Sequence, residues 1–361
     1  MNKAATVKYL KNDVQVITSD SIFYFCCWMY LIALTILPDW FGFYLGMLFS
    51  AKRIMLIICY CFIIFGRRRL NVFLKDLKTY KWANIIIALY MLVRLYTAVL
   101  RIDLQSFMGE FLNGVLVFYF IAYILKHEIS YQKLFKFLRI VLWLLIIEGI
   151  FEYLTGINIF SFLDTTNQFS TVTGIRDGAL RIQANCHHAI HYGIYISILF
   201  FLSCYDFNKN KLYLFRNPLL LLLSLIVIYF SGSRAPLGIF LLCCFLICFF
   251  SGKDNLIKSL IILLSVLSVL VLFLLLMFNT PVGQTILQSL AMICDEVFGT
   301  TFVADFFDAE LAASYAQSAE YREILYSIIF QLDYLNIFLG RGVSYNFGIY
   351  IEGYTIRSVD N

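Results

Sequence analysis

The chain has 361 residues, 61% of them hydrophobic and only 14% charged, against roughly 25% charge in soluble domains. Its formal charge of +5 gathers into no basic face or domain, which argues against a nucleic-acid partner. With 36 Phe, 24 Tyr and a mean hydropathy of +0.82, the composition predicts an all-α polytopic membrane protein.

In chain order, MNKAATVKYLKNDVQVITSD is polar and mixed. It lacks the apolar run and small-residue cleavage site of a signal peptide, so the first apolar run is expected to be a retained span. A crossing helix needs about 20 apolar residues. Nine spans are predicted, at 21–37, 41–65, 82–100, 107–125, 137–155, 188–204, 217–231, 236–250 and 259–278. The 41–65 run holds Lys52 and Arg53 and reads either as a tilted span or as a re-entrant piece followed by a helix. The spans at 217–231 and 236–250 are short and meet at SGSRAPLG, residues 231–238.

Residues 1–278 thus read as a transmembrane helical domain and 279–361 as a large extracytoplasmic loop. With the N-terminus cytoplasmic, the inner segments carry 17 Lys/Arg and the outer ones seven, as the positive-inside rule requires. The last segment has ten acidic and three basic side chains, and its residues 318–339 form a candidate amphipathic helix. Eight of the ten cysteines lie in apolar runs and read as small buried hydrophobes. Cys186 and Cys294 lie outside them and could pair in an oxidising compartment.

The polar residues at the span mouths are the candidate site. Arg234 follows SGS; it is either a snorkelling interfacial arginine or a guanidinium fork for phosphate oxygens. Ser233 is placed to cap the next helix and Pro236 to start it. Arg181, Asn185, His187, His188 and His191 cluster in LRIQANCHHAIHYGIY. With no HExxH and no paired acidic motif, this cluster reads as a mouth for a substrate head group rather than a zinc site, so no metal is expected. Glu148 and Glu152, four apart, either line a cavity or face the interface, and no catalytic part is assigned to them. Arg322, Arg341 and Arg357 suggest a local anion site in the acidic loop.

The outward SGSRAPLG, the earlier LRIQANCHHAIHYGIYI, the SAEYR of the large loop, then FLGRGVSYNFG and SVDN, in that order, resemble the O-antigen ligase and polysaccharide polymerase family over residues 170–361. The resemblance implies a GT-C-like fold in the bacterial inner membrane. It also implies a metal- and cofactor-independent inverting glycosyltransferase that joins undecaprenyl-pyrophosphate-linked oligosaccharide repeats into surface polysaccharide. Membrane lipids, a chain-length regulator and a flippase would be its partners. On this chain it places Arg181, Arg234 and Arg322 on the donor pyrophosphate, with Asn185, His188, Ser233 and Arg341 as further substrate contacts. Asp360 is a carboxylate that could accept the acceptor hydroxyl's proton, and Arg322 is the second expected catalytic residue. Family ligases carry His-Asn where this chain reads Asp360–Asn361, which favours polymerase over ligase. A lipid-linked glycan flippase is the alternative from another class. Family chains continue into further spans, so a truncation after Asn361 is expected.

Overall fold

The computed structural model describes residues 21–101, 104–167, 175–176, 179–207 and 211–250. Beyond these it describes scattered positions between 261 and 307, and residues 349–351 and 354–356. The chain divides into two compact units, residues 1–84 with 112–260, and residues 85–111 with 261–361.

The first unit holds two helical groups. In the first, α1 (Ser21–Thr35) packs on α2 (Ala51–Phe65). Between them residues 42–50 turn back as a short antiparallel hairpin, β1 (Gly42–Leu45) and β2 (Met47–Ser50), closed by Gly46 at φ +69°. α3 (Arg67–Thr79) follows after Gly66, and α4 (Lys81–Arg101) then leads out of the unit. α5 (Leu104–Glu110) runs through a π turn at Phe111–Leu116 into α6 (Val117–His127). Phe23, Cys27 and Tyr30 of α1, Cys59 and Ile63 of α2, and Phe120 and Tyr123 of α6 form one buried core.

The second group is α7 (Tyr131–Thr155), α8 (Ala189–Ser203), α9 (Pro218–Phe230) and α10 (Arg234–Phe250), with α8 packed against the other three. Their ends follow from local sequence. Ser130 caps α7 by accepting from the Lys133 N–H at 3.4 Å, and Gly156 ends it in the left-handed conformation glycine favours. Pro218 opens α9, where its missing N–H costs nothing. Two short hairpins flank α8, β3 (Ile175–Arg176) with β4 (Ala179–Leu180) before it and β5 (Tyr205–Asp206) with β6 (Lys211–Leu212) after it. Bare glycine backbone sets the helix spacing. A Cβ on Gly149 of α7 would stand 2.2 Å from the Tyr192 hydroxyl, and one on Gly193 of α8 would stand 2.8 Å from Pro236.

In the second unit, Glu110 accepts from the Tyr90 hydroxyl at 3.1 Å and pairs with Arg94 at 3.2 Å. Asp295 accepts from Thr300 and from the Phe302 and Val303 N–H groups, and so holds the start of α11 (Phe302–Phe306). β7 (Ile349–Ile351) pairs antiparallel with β8 (Tyr354–Ile356).

The nine-span membrane architecture is corrected by these helices. Among the described residues two, Lys81–Leu100 and Leu104–His127, are long and apolar enough to cross a membrane. The runs expected as spans at 21–37, 188–204, 217–231 and 236–250 form helices of 15, 15, 13 and 17 residues. At 1.5 Å per residue these are about 20–25 Å long, short of the ~30 Å hydrocarbon core. The first packs on α2, and the other three pack on one another. The 41–65 run is a hairpin followed by a helix, and the 137–155 run continues a helix begun at Tyr131 and buries two glutamates. The multi-pass inner-membrane location expected with nine spans falls with them. The span expected at 259–278 lies largely outside the described residues. All ten cysteines are free thiols, Cys186 and Cys294 included.

Candidate functional site

The sequence-predicted residues divide in two. Arg181 and Ser233 meet where the segment 181–188 meets the turn 231–233, and Asn185 and His188 lie farther along that segment, bonded to the end of α1 and the start of α8. Arg234 begins α10 directly after that turn. Arg322, Arg341 and Asp360 lie outside the described residues.

Arg181 is buried. Its Nε donates to the Ser231 carbonyl at 2.9 Å and its terminal nitrogen to the Ser233 hydroxyl at 2.6 Å. The guanidinium therefore clips the segment before α8 to the turn between α9 and α10. Gly232, at φ +59°, lies against its stem, where a Cβ would approach to 3.1 Å. Asn185 spends both amide protons on the carbonyls of Thr35 and Ile36, each at 3.1 Å, and so fastens the same segment to the end of α1. His188 caps α8, its Nδ1 accepting from the Ile190 N–H at 3.1 Å. That assigns the proton of the neutral ring to Nε2. His187 stands edge-on to Trp40 with ring centres 4.9 Å apart.

Two residues to which the sequence assigned no chemistry sit at the centre. Glu152 is buried and fully engaged. Its Oε2 accepts from the N–H groups of Gln183 at 3.2 Å and Ala184 at 2.9 Å, and its Oε1 accepts from Asn158 at 2.9 Å. Asn158 donates also to the Ala184 carbonyl at 2.9 Å, and its own Oδ1 accepts from the Phe160 N–H at 2.8 Å. This network holds Ala184 at φ +46°, a conformation that costs a non-glycine residue energy.

Glu148 lies one turn earlier on the same face of α7. It is 6% exposed, and among the described residues neither carboxyl oxygen makes a well-formed hydrogen bond, the Ile159 N–H acting on it only weakly. Burial, and then the nearby Glu152 charge, push its pKa up to about 8; the Ile159 N–H pulls more weakly the other way. Glu152 is raised too, by burial, with its three hydrogen bonds opposing the shift. The field of Glu148 reaches the Tyr192 and Cys186 side chains, and burial pushes the Cys186 thiol up to about 12. Tyr192 donates its hydroxyl proton to the Leu145 carbonyl at 2.9 Å. Sequence carried a signal for this pair, two carboxylates at i and i+4 inside an apolar helix. It carried none for Asn158 or Tyr192.

Among the described residues no group of three or more His, Cys, Asp or Glu side chains is placed to hold a metal ion. No protein-family model, no curated protein and no solved structure matches the chain. The resemblance to the O-antigen ligase and polymerase family is corrected on the fold. Its chemistry is embedded in a many-span architecture, and the described helices do not provide one. The polymerase reading is withdrawn with it, together with its ligase and flippase alternatives.

Proposed function

We propose that the cluster around Glu148 is the proton-exchanging centre of a metal-independent group-transfer enzyme. Glu148 would take the proton of an acceptor hydroxyl. The observation that supports this is a buried carboxyl without a well-formed hydrogen bond at either oxygen, shifted to about 8. A base works best when its pKa lies near the operating pH, and perturbed carboxyls of this kind concentrate at functional sites. Glu152 and Asn158 would position the segment 181–186 around it. Inverting glycosyl transfer from a pyrophosphate-linked donor belongs to the same proposal. Such a leaving group departs without an acid, so the protein has only to supply a base at the acceptor.

The test uses the full chain with EDTA, a disaccharide linked to a short prenyl pyrophosphate, and an oligosaccharide acceptor. The expected result is transfer whose rate rises through an apparent pKa near 8, with Glu148→Gln lowering kcat at least about 100-fold, within the range for a lost acid–base group. Full activity in the glutamine variant overturns the role of Glu148, and absence of any transfer by the intact chain overturns the reaction class.

A further inference from the structure

At the opposite end of the α7–α8 pair, thirteen residues and so about 20 Å back along α7 from Glu148, lies a second feature. A cleft of about 290 Å³ opens between the start of α7, the end of α8 and the β5–β6 hairpin. Phe135, Phe201, Tyr205 and Phe207 line it, with Tyr131 and Leu212 at its mouth. Phe207 stands perpendicular to Phe135 at 4.9 Å and to Tyr205 at 4.8 Å, so the walls are rings braced edge to face. The volume matches the lower end of ligand pockets, about 300 Å³.

Two arginines bond to backbone beside the residues that line this cleft. Arg139 donates to the Ser203 carbonyl at 3.1 Å and Arg216 to the Tyr205 carbonyl at 2.6 Å, so two guanidinium groups converge on carbonyls two residues apart. Burial lowers the pKa of Arg139, the nearby charge of Arg216 lowers it further, and the Asp206 carboxylate opposes the shift. Among the described residues neither arginine forms an ion pair, and Arg216 is exposed. Each guanidinium carries five N–H donors, of which these contacts use one apiece. Lys211 on β6 stands across from Asp206, the carboxylate this hairpin contributes. Two like charges side by side with unspent donors favour an anion between them, and the ring-lined cleft beside them favours a flat apolar body.

We propose that this cleft binds a small amphiphilic anion, a phosphate or carboxylate head on an aromatic body, with the head on Arg139 and Arg216 and the body in the cleft lined by Phe135, Phe201 and Phe207. The site is separate from Glu148 and stands or falls independently of it. The test titrates the full chain by calorimetry with 1-naphthyl phosphate, 1-naphthol and inorganic phosphate. The expected result is saturable binding of 1-naphthyl phosphate at least tenfold tighter than either fragment. Arg216→Gln should weaken the phosphate ester at least fivefold and leave 1-naphthol unchanged, which misfolding would not do. Arg216→Lys should restore part of the loss. Equal binding of 1-naphthol and its phosphate by the wild-type chain overturns the proposal. So does an Arg216→Gln variant that binds 1-naphthyl phosphate as the wild type does. Should that variant fail to fold, the comparison of the three ligands on the wild-type chain decides alone.

Discussion

Replacing Glu148 by Gln should remove a large pH dependence from the stability of the first unit. The folded carboxyl titrates at about 8 against an ordinary value of 4.5. Folding therefore favours the protonated form. Its contribution is fully present below pH 4.5 and is lost progressively as pH rises to 8, above which the loss stops growing. Each pH unit in that window is worth about 1.4 kcal/mol. Between pH 5 and pH 8 the wild type should lose about 3 kcal/mol relative to Glu148→Gln. Glutamine keeps the shape and cannot ionise, while Glu152 titrates in both proteins and largely cancels in the difference. The assay is urea unfolding at half-unit pH steps from 5 to 9, read by far-UV circular dichroism, with the two midpoints compared at each pH. Parallel curves would refute the reasoning, because they would mean that water or a partner reaches the carboxylate and that it ionises without penalty.

Three further outcomes follow from the same region. Glu152→Ala orphans the N–H groups of Gln183 and Ala184 and one Asn158 donor, and should destabilise by about 3 kcal/mol in urea unfolding, with faster amide exchange at 183 and 184. Gly149→Ala drives a methyl into the Tyr192 hydroxyl and should cost about 2 kcal/mol; Tyr192→Phe added to it should return part of that loss. Trp40→Phe removes a buried ring and its hydrogen bond to the Phe160 carbonyl at 3.0 Å. It should lower stability by about 2 kcal/mol and expose the 156–167 loop to limited proteolysis.

The helices were legible and their purpose was not. The runs at 82–100, 188–204, 217–231 and 236–250 each became a helix with ends within three residues of the expectation. A run of Leu, Ile and Phe bounded by Gly, Pro or a capping residue has few other options. What hydropathy cannot separate is an apolar helix that faces lipid from one that faces another apolar helix, since both need the same side chains. Length separates them: 13 residues at 218–230 cannot reach where 20 at 81–100 can. The run at 41–65 left open a tilted span or a re-entrant piece followed by a helix, and the structure has a hairpin before the helix. Gly42 and Gly46 sit in an apolar setting, where their chemistry as hairpin residues is easily read as helix interior. A Cβ at Gly42 would stand 2.3 Å from the Phe49 carbonyl oxygen, so the hairpin depends on its absence.

The polar cluster shows the same limit at the scale of single side chains. Arg181, Asn185, His188 and Ser233 drew notice because polar groups between apolar runs must be accounted for, and each has a bond within the chain. Their donors and acceptors are spent on the chain itself: on the Ser231 carbonyl, on the end of α1, and on the first turn of α8. A sequence shows that a polar group is present but not whether the fold has already satisfied it. Satisfaction is what separates Glu152 from Glu148, identical in type and one helical turn apart. Glu152 holds three donors and shapes the segment around it, while Glu148 holds none in a well-formed hydrogen bond and keeps its proton near neutral pH. The proposed chemistry is therefore placed on the residue that the network leaves out, because a buried carboxyl with spare acceptors is stabilised by whatever hydroxyl or proton reaches it.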